Sequence, residues 1–143
     1  MDFLDSLNGR IARDIGYLVR DEPGVQSPAR TTGRRAGFCR DMATLFIEAF
    51  PYCGLASRFV SGYLVFSAAV EDQATTHAWA EIYLPGADWR GYDSTSGQRI
   101  GGDHIAVAVH RRPEAIPVSG RFVGPRSHLQ KWMSRCRCDA CES

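Results

Sequence analysis

Three residues stand where nucleophilic chemistry can be built: Cys39 in GFCRD, His77 at the head of HAWAEIYL, and Asp93 closing WRGYD. A thiol is mostly protonated at neutral pH, so it attacks a carbonyl only when its proton has somewhere to go. Just after Cys39, the apolar residues Met42, Leu45, Phe46, Ala49 and Phe50 recur at helical spacing, with Ile47 widening the stripe. The sulfur therefore falls at the start of an amphipathic helix, where unpaired amides and the positive end of the dipole favour a thiolate and can bind an oxyanion. His77, presented from a strand, supplies the acid and base. Asp93 returns beside it on a hairpin turning through Pro85-Gly86-Ala87-Asp88, and holds the imidazole in orientation.

The elements that must position these residues are also written in the pattern. Leu4, Leu7, Ile11, Ile15 and Leu18 predict a first helix over residues 3–19, behind Asp2 as cap. Residues 21–37, with two prolines, three glycines and little periodicity, read as a surface connection leading to Cys39. Pro51 and Gly54 end the second helix. Strands are predicted at 58–66, 77–84 and 89–93, with weaker ones at 105–109 and 120–123. Two helices followed by four or five mainly antiparallel strands make an α+β domain over residues 1–125, and 126–143 read as a flexible cysteine-containing tail.

The wording around the three residues is more specific than their types. GFCRDMA, RFVSGY, HAWAEIYLPGADW and GYDST, in that order and spacing over residues 3–124, resemble the bacterial transglutaminase-like family. That resemblance implies a papain-like core with the helices packed on the sheet, and Cys39, His77 and Asp93 as the catalytic triad. It implies attack on an amide carbonyl of a peptide or glutamine side chain through a thioester that water or an amine resolves. Hydrolysis is expected ahead of transamidation because no residue marks an amine-acceptor site, and no cofactor is expected. The contrasting readings are a binding module that keeps the fold without turnover, and a small zinc-dependent interaction protein organised by its tail.

Composition narrows the partners. The chain has 143 residues, 44% of them hydrophobic, and a formal charge of +1, so no general field draws in nucleic acid or an anionic membrane. No apolar run reaches the length of a membrane span and the N-terminus lacks a signal-peptide pattern, so the expected address is cytoplasmic and the expected partner a peptide or protein substrate. Five cysteines, an odd number, argue for free thiols. Cys53 is expected to be packed and inert. Cys136, Cys138 and Cys141 with His128 lack the paired spacing of a structural zinc site, and His104 and His110 have no support as ligands, so no metal site is assigned. Asp41 is expected to cap its helix, and Trp79 and Trp89 to fill the core or line a cleft.

Overall fold

The structure, a computed structural model, describes residues 2–20, 22–65 and 74–116. The predicted strand at 120–123 and the tail from 126 onward lie outside the described residues, as does Phe66. Among the described residues, three α-helices, α1 (Asp2–Asp14), α2 (Pro28–Arg34) and α3 (Cys39–Ile47), accompany seven strands: β1 (Gly16–Tyr17), β2 (Ala36–Gly37), β3 (Ser57–Val65), β4 (Ala74–Leu84), β5 (Asp88–Asp93), β6 (Gln98–Arg99) and β7 (His104–His110). Five strands form one antiparallel sheet in the order β6-β5-β4-β3-β7, against which α3 packs. This is the expected papain-like α+β arrangement.

The core forms between α1, α3 and this sheet. Leu4, Ile11 and Ile15 meet Met42, Phe46 and Phe50, with Phe59, Ala78, Ala80, Ile82 and Tyr92 opposite. Small residues at Ala78 and Ala80 allow the start of α3 to approach β4 closely, while the Phe46 ring sits 4.8 Å from Phe50 and 5.4 Å from Tyr92. Each fully buried aromatic or aliphatic side chain contributes roughly 1.5–3 kcal/mol of transfer free energy.

The helices depart from their predicted limits for identifiable reasons. α1 stops at Asp14 and not at 19, because Gly16 and Tyr17 pair in parallel with Ala36 and Gly37. Leu18 continues the helical spacing but is exposed. The supposed connection at 21–37 contains α2, capped by the Ser27 hydroxyl accepting from the Arg30 N–H, with Pro28 in the first turn and Arg35 in the left-handed conformation at its end. Its one buried residue is Thr31, so no apolar stripe announced it.

α3 begins at Cys39 itself, and Asp41 fixes that beginning. Its buried carboxylate accepts the Phe38 N–H at 2.9 Å, the Gln26 N–H at 2.8 Å and the Gln26 side chain at 3.0 Å, and pairs with Arg20 at 3.0 Å. The cap expected at this position is thus also a clamp that ties Arg20 and Gln26 to the helix. Burial alone would raise the Asp41 carboxyl, but these donors outweigh it and hold it below the ordinary 3.8.

A bulge in β3 at Ser61/Gly62 shifts its register against β7. A Cβ at Gly62 would strike the Ile105 carbonyl of β7 and stand 2.6 Å from Trp79 Cη2, so only glycine lets the two strands and the indole close up. Trp79 is fully buried and belongs to the packing, whereas Trp89 lies partly covered beneath the Arg58 guanidinium, 4.0 Å from its ring centroid.

Two stability outcomes follow from these contacts. Gly62→Ala should cost about 1–3 kcal/mol in urea unfolding through overpacking; an unchanged midpoint would contradict the close approach. Asp41→Asn should cost about 3 kcal/mol by removing the buried charge that Arg20, Gln26 and the Phe38 amide share. Because the Asp41 carboxyl is depressed in the folded state, its contribution is fully present above the unfolded value near 3.8 and declines as pH falls below it. The variant should therefore show a shallower acid loss of stability than the parent, measured as unfolding free energy against pH.

Candidate active site

Cys39 occupies the first position of α3, where Asp41 N–H and Met42 N–H both turn back to the Phe38 carbonyl. The sulfur is almost completely buried, and the backbone N–H groups of Ala78 and Arg40 face it. Ala78 follows His77 directly on β4, so the start of the helix meets the strand beside the candidate base. Burial pushes the Cys39 thiol up to about 11, against the pull of those two amides and the Arg40 charge. The helix start alone was expected to favour the thiolate; desolvation reverses that balance, so ionisation requires a partner that takes the proton.

Arg40 lies beneath this region, its guanidinium donating to the Glu22 carbonyl and, at 3.4 Å, to the Arg20 carbonyl. Its placement is a second consequence of the Asp41 clamp, which holds the same loop.

His77 and Asp93 are brought together as the hairpin predicts. His77 Nε2 lies 3.1 Å from Asp93 Oδ2, both side chains being more than nine-tenths buried. This nitrogen is not aligned along its ring N–H as a linear hydrogen bond, a looseness common before substrate binds. β4 and β5 pair through Ala80 and Tyr92, and Asp93 ends the second strand. There its Oδ1 accepts the Thr95 N–H at 2.8 Å and its Oδ2 the Ser96 hydroxyl at 3.0 Å. The aspartate is thus a turn residue and a histidine partner at once.

The turn is pinned from α1. Buried Asn8 donates to the Asp93 carbonyl at 3.2 Å and the Gln98 carbonyl at 3.0 Å, and accepts the Ser94 hydroxyl at 2.9 Å. Burial would raise the Asp93 carboxyl, but the His104 and His77 rings and the Thr95 amide more than offset it, leaving Asp93 far below the usual carboxylate range.

Two residues at the site escaped sequence reasoning. Tyr17 on β1 packs its ring 5.6 Å from Phe38, and its hydroxyl is pushed up to about 12 by burial and by the negative charges at Cys39 and Asp93. It stays protonated at the border of the site, where only the β1–β2 pairing could have brought it. His104, dismissed as a ligand, places Nε2 3.5 Å from Asp93 Oδ2. Its signal was its position at the head of the HIAVAVH strand, matching His77 at the head of HAWAEIYL.

The nitrogen and oxygen atoms of His77, Asp93 and His104 lie within 4.8 Å of one another, a spacing a metal ion could use. In this structure the Asp93 carboxylate accepts the Thr95 amide and the Ser96 hydroxyl and faces the two rings. Cys53, expected to be packed, is exposed, its thiol 3.6 Å from the Ala49 carbonyl. The terminal cysteines and His128 lie outside the described residues. Among the described residues no helix is long and apolar enough to cross a membrane.

Comparison with known proteins agrees with this architecture. Proteins of Mycobacterium tuberculosis and Mycobacterium bovis are each 34% identical over 126 residues, covering 82% of this chain and 40% of theirs. A Mycobacterium leprae protein is 33% identical over 95 residues, or 62% of this chain and 33% of its own. The chain therefore spans about two fifths or less of the length of these relatives. A crystal structure from Cytophaga hutchinsonii, described as "a Putative Cysteine Protease", superposes with a TM-score of 0.64 at 24% identity, over 79% of this chain and 37% of that one, a likeness of fold. The model of the transglutaminase-like superfamily, the Transglut_core family, matches residues 2–94, a span holding Cys39, His77 and Asp93, and the chain belongs to that superfamily.

Proposed function

We propose that this chain is a cysteine-dependent acyl-transfer enzyme that opens amide bonds of peptides or glutamine side chains through a thioester on Cys39. The observation that carries the reading is the buried approach of His77 Nε2 to Asp93 Oδ2 at 3.1 Å, beside a cysteine at the first position of a helix. With Nε2 turned to the carboxylate, Nδ1 is the ring nitrogen left for the sulfur.

In the first half-reaction, the Cys39 proton passes to His77 Nδ1 while sulfur attacks the carbonyl carbon, forming a C–S bond and moving the carbonyl electron pair onto oxygen. Amides at the start of α3 receive that oxyanion. Its collapse breaks the C–N bond, and the imidazolium gives its proton to the departing nitrogen. In the second half, His77 takes a proton from water as its oxygen attacks the thioester, and the C–S bond breaks to restore the thiol. Asp93 stays ionised and stabilises the imidazolium that forms in both halves.

Burial of the sulfur makes the base indispensable, because a thiol raised to about 11 is negligibly ionised at neutral pH on its own. Water is the favoured acceptor: no element of the sequence marks an amine site able to outcompete it.

Incubation with a glutamine-containing peptide, with and without a primary amine, tests the reading by mass spectrometry. An acyl adduct should form on Cys39, be absent in Cys39→Ala, and resolve mainly to the free acid. Turnover surviving in Cys39→Ala would sink the proposal, while amine-linked product in excess of acid would move the activity to transamidation. Asp93→Asn should lower kcat by roughly 10²-fold or more with little change in KM, because a neutral amide neither stabilises imidazolium nor fixes its orientation. Wild-type kcat in that variant would remove Asp93 from the mechanism.

A further inference from the structure

Asp93 faces two imidazoles. His104 Nε2 approaches the same Oδ2 at 3.5 Å that His77 Nε2 approaches at 3.1 Å, and the ring centroids lie 5.8 Å apart. The two histidines start on strands separated by β3, a gap of about two strand spacings or roughly 9.6 Å. The β3 residue in register with His77 is Gly62, where a Cβ would strike the Ile105 backbone of β7 and the Trp79 ring, so glycine lets β7 close on β3 beside the indole. The Trp79 indole then stands edge-on to His104 at 5.3 Å.

The other nitrogen of His104 is also committed: Nδ1 lies 2.7 Å from Asp103 Oδ1. Groups facing this ring are Asp103 from the turn before its own strand, Asp93 from β5, and His77 with Trp79 from β4; its β3 register partner is the apolar Leu64, next to Tyr63. A carboxylate near each ring nitrogen favours the doubly protonated, charged ring. Burial lowers the His104 pKa, but Asp93 and Asp103 more than offset it and the net direction is upward.

We propose that His104 is a positioning residue for this site, a second cation on Asp93 that fixes the shared carboxylate and compensates its charge while His77 cycles between its two protonation states. The proposal rests on the cysteine–histidine reading above. Its consequence for the sulfur is specific: the Asp93 charge opposes ionisation of Cys39, so a fixed cation on that carboxylate eases it. Removal of the cation raises the proton affinity of every neighbouring group, and both limbs of a pH profile should move upward together.

Alkylation of Cys39 by iodoacetamide tests this without knowledge of the substrate. Its rate is followed by mass spectrometry of the Cys39 peptide across about pH 5 to 10, which separates it from Cys53 and the terminal thiols. His104→Gln keeps a polar side chain and loses the charge. Asp103→Asn leaves the ring in place and alters a half-exposed carboxylate, so it decides the matter if His104→Gln does not fold. Both variants should react about three- to tenfold more slowly at neutral pH, with both limbs displaced upward, a displacement of up to about one pH unit.

Wild-type profiles in both variants, with His77→Ala still suppressing the reaction, would show that His104 only fills space and would overturn the proposal. If His77→Ala reacts like the parent, the underlying cysteine–histidine reading fails and takes the proposal with it, an outcome distinct from the first.

Discussion

A carboxylate sealed from water is the interaction on which this site depends. Asp93 is nearly fully buried, and a buried charge is tolerated only where donors and cations surround it closely. Each partner comes from a different part of the chain: His77 from β4, His104 from β7, Thr95 and Ser96 from its own turn, and Asn8 of α1 on the backbone of that turn. The cost of desolvating Asp93 therefore couples the helix, the hairpin and the edge strand into one assembly. In the proposed mechanism it also supplies the field that stabilises an imidazolium at His77.

A second buried carboxylate performs the matching task at the other end of the site. Asp41 collects the Phe38 and Gln26 amides and Arg20, which fixes the start of α3 and with it the depth of the Cys39 sulfur. That depth has a chemical consequence. Desolvation works against the thiolate more strongly than the helix start works for it, so reactivity depends on delivery of the proton to a neighbour and not on a free anion. Gly62 contributes by absence, since a side chain there would hold β7 and its histidine away from the carboxylate.

What could be read from the sequence follows the range of the interactions. Cys39, His77 and Asp93 were legible because each sits inside a short run whose local pattern, helix start or hairpin strand, already presents it. The hairpin between His77 and Asp93 needs only its own turn, and the structure closes it as expected. α1 was read too long because Leu18 keeps the helical spacing by coincidence, while the event that ends the helix is pairing with residues twenty positions away. α2 was missed for want of an apolar face, although Ser27-Pro28 carried a helix-start signature. His104 and Tyr17 reach the site through β3–β7 and β1–β2 pairings, which no local pattern encodes.

The most direct measurement is an ultraviolet titration of the Cys39 thiolate, taken as the difference between the parent and Cys39→Ser, in the presence and absence of His77. The thiolate band should rise at lower pH in the parent than in His77→Ala, where the ring that accepts the sulfur's proton is gone. Superimposable titrations in the two backgrounds would mean that sulfur and ring do not exchange a proton, and the site would then lack the base that its chemistry requires.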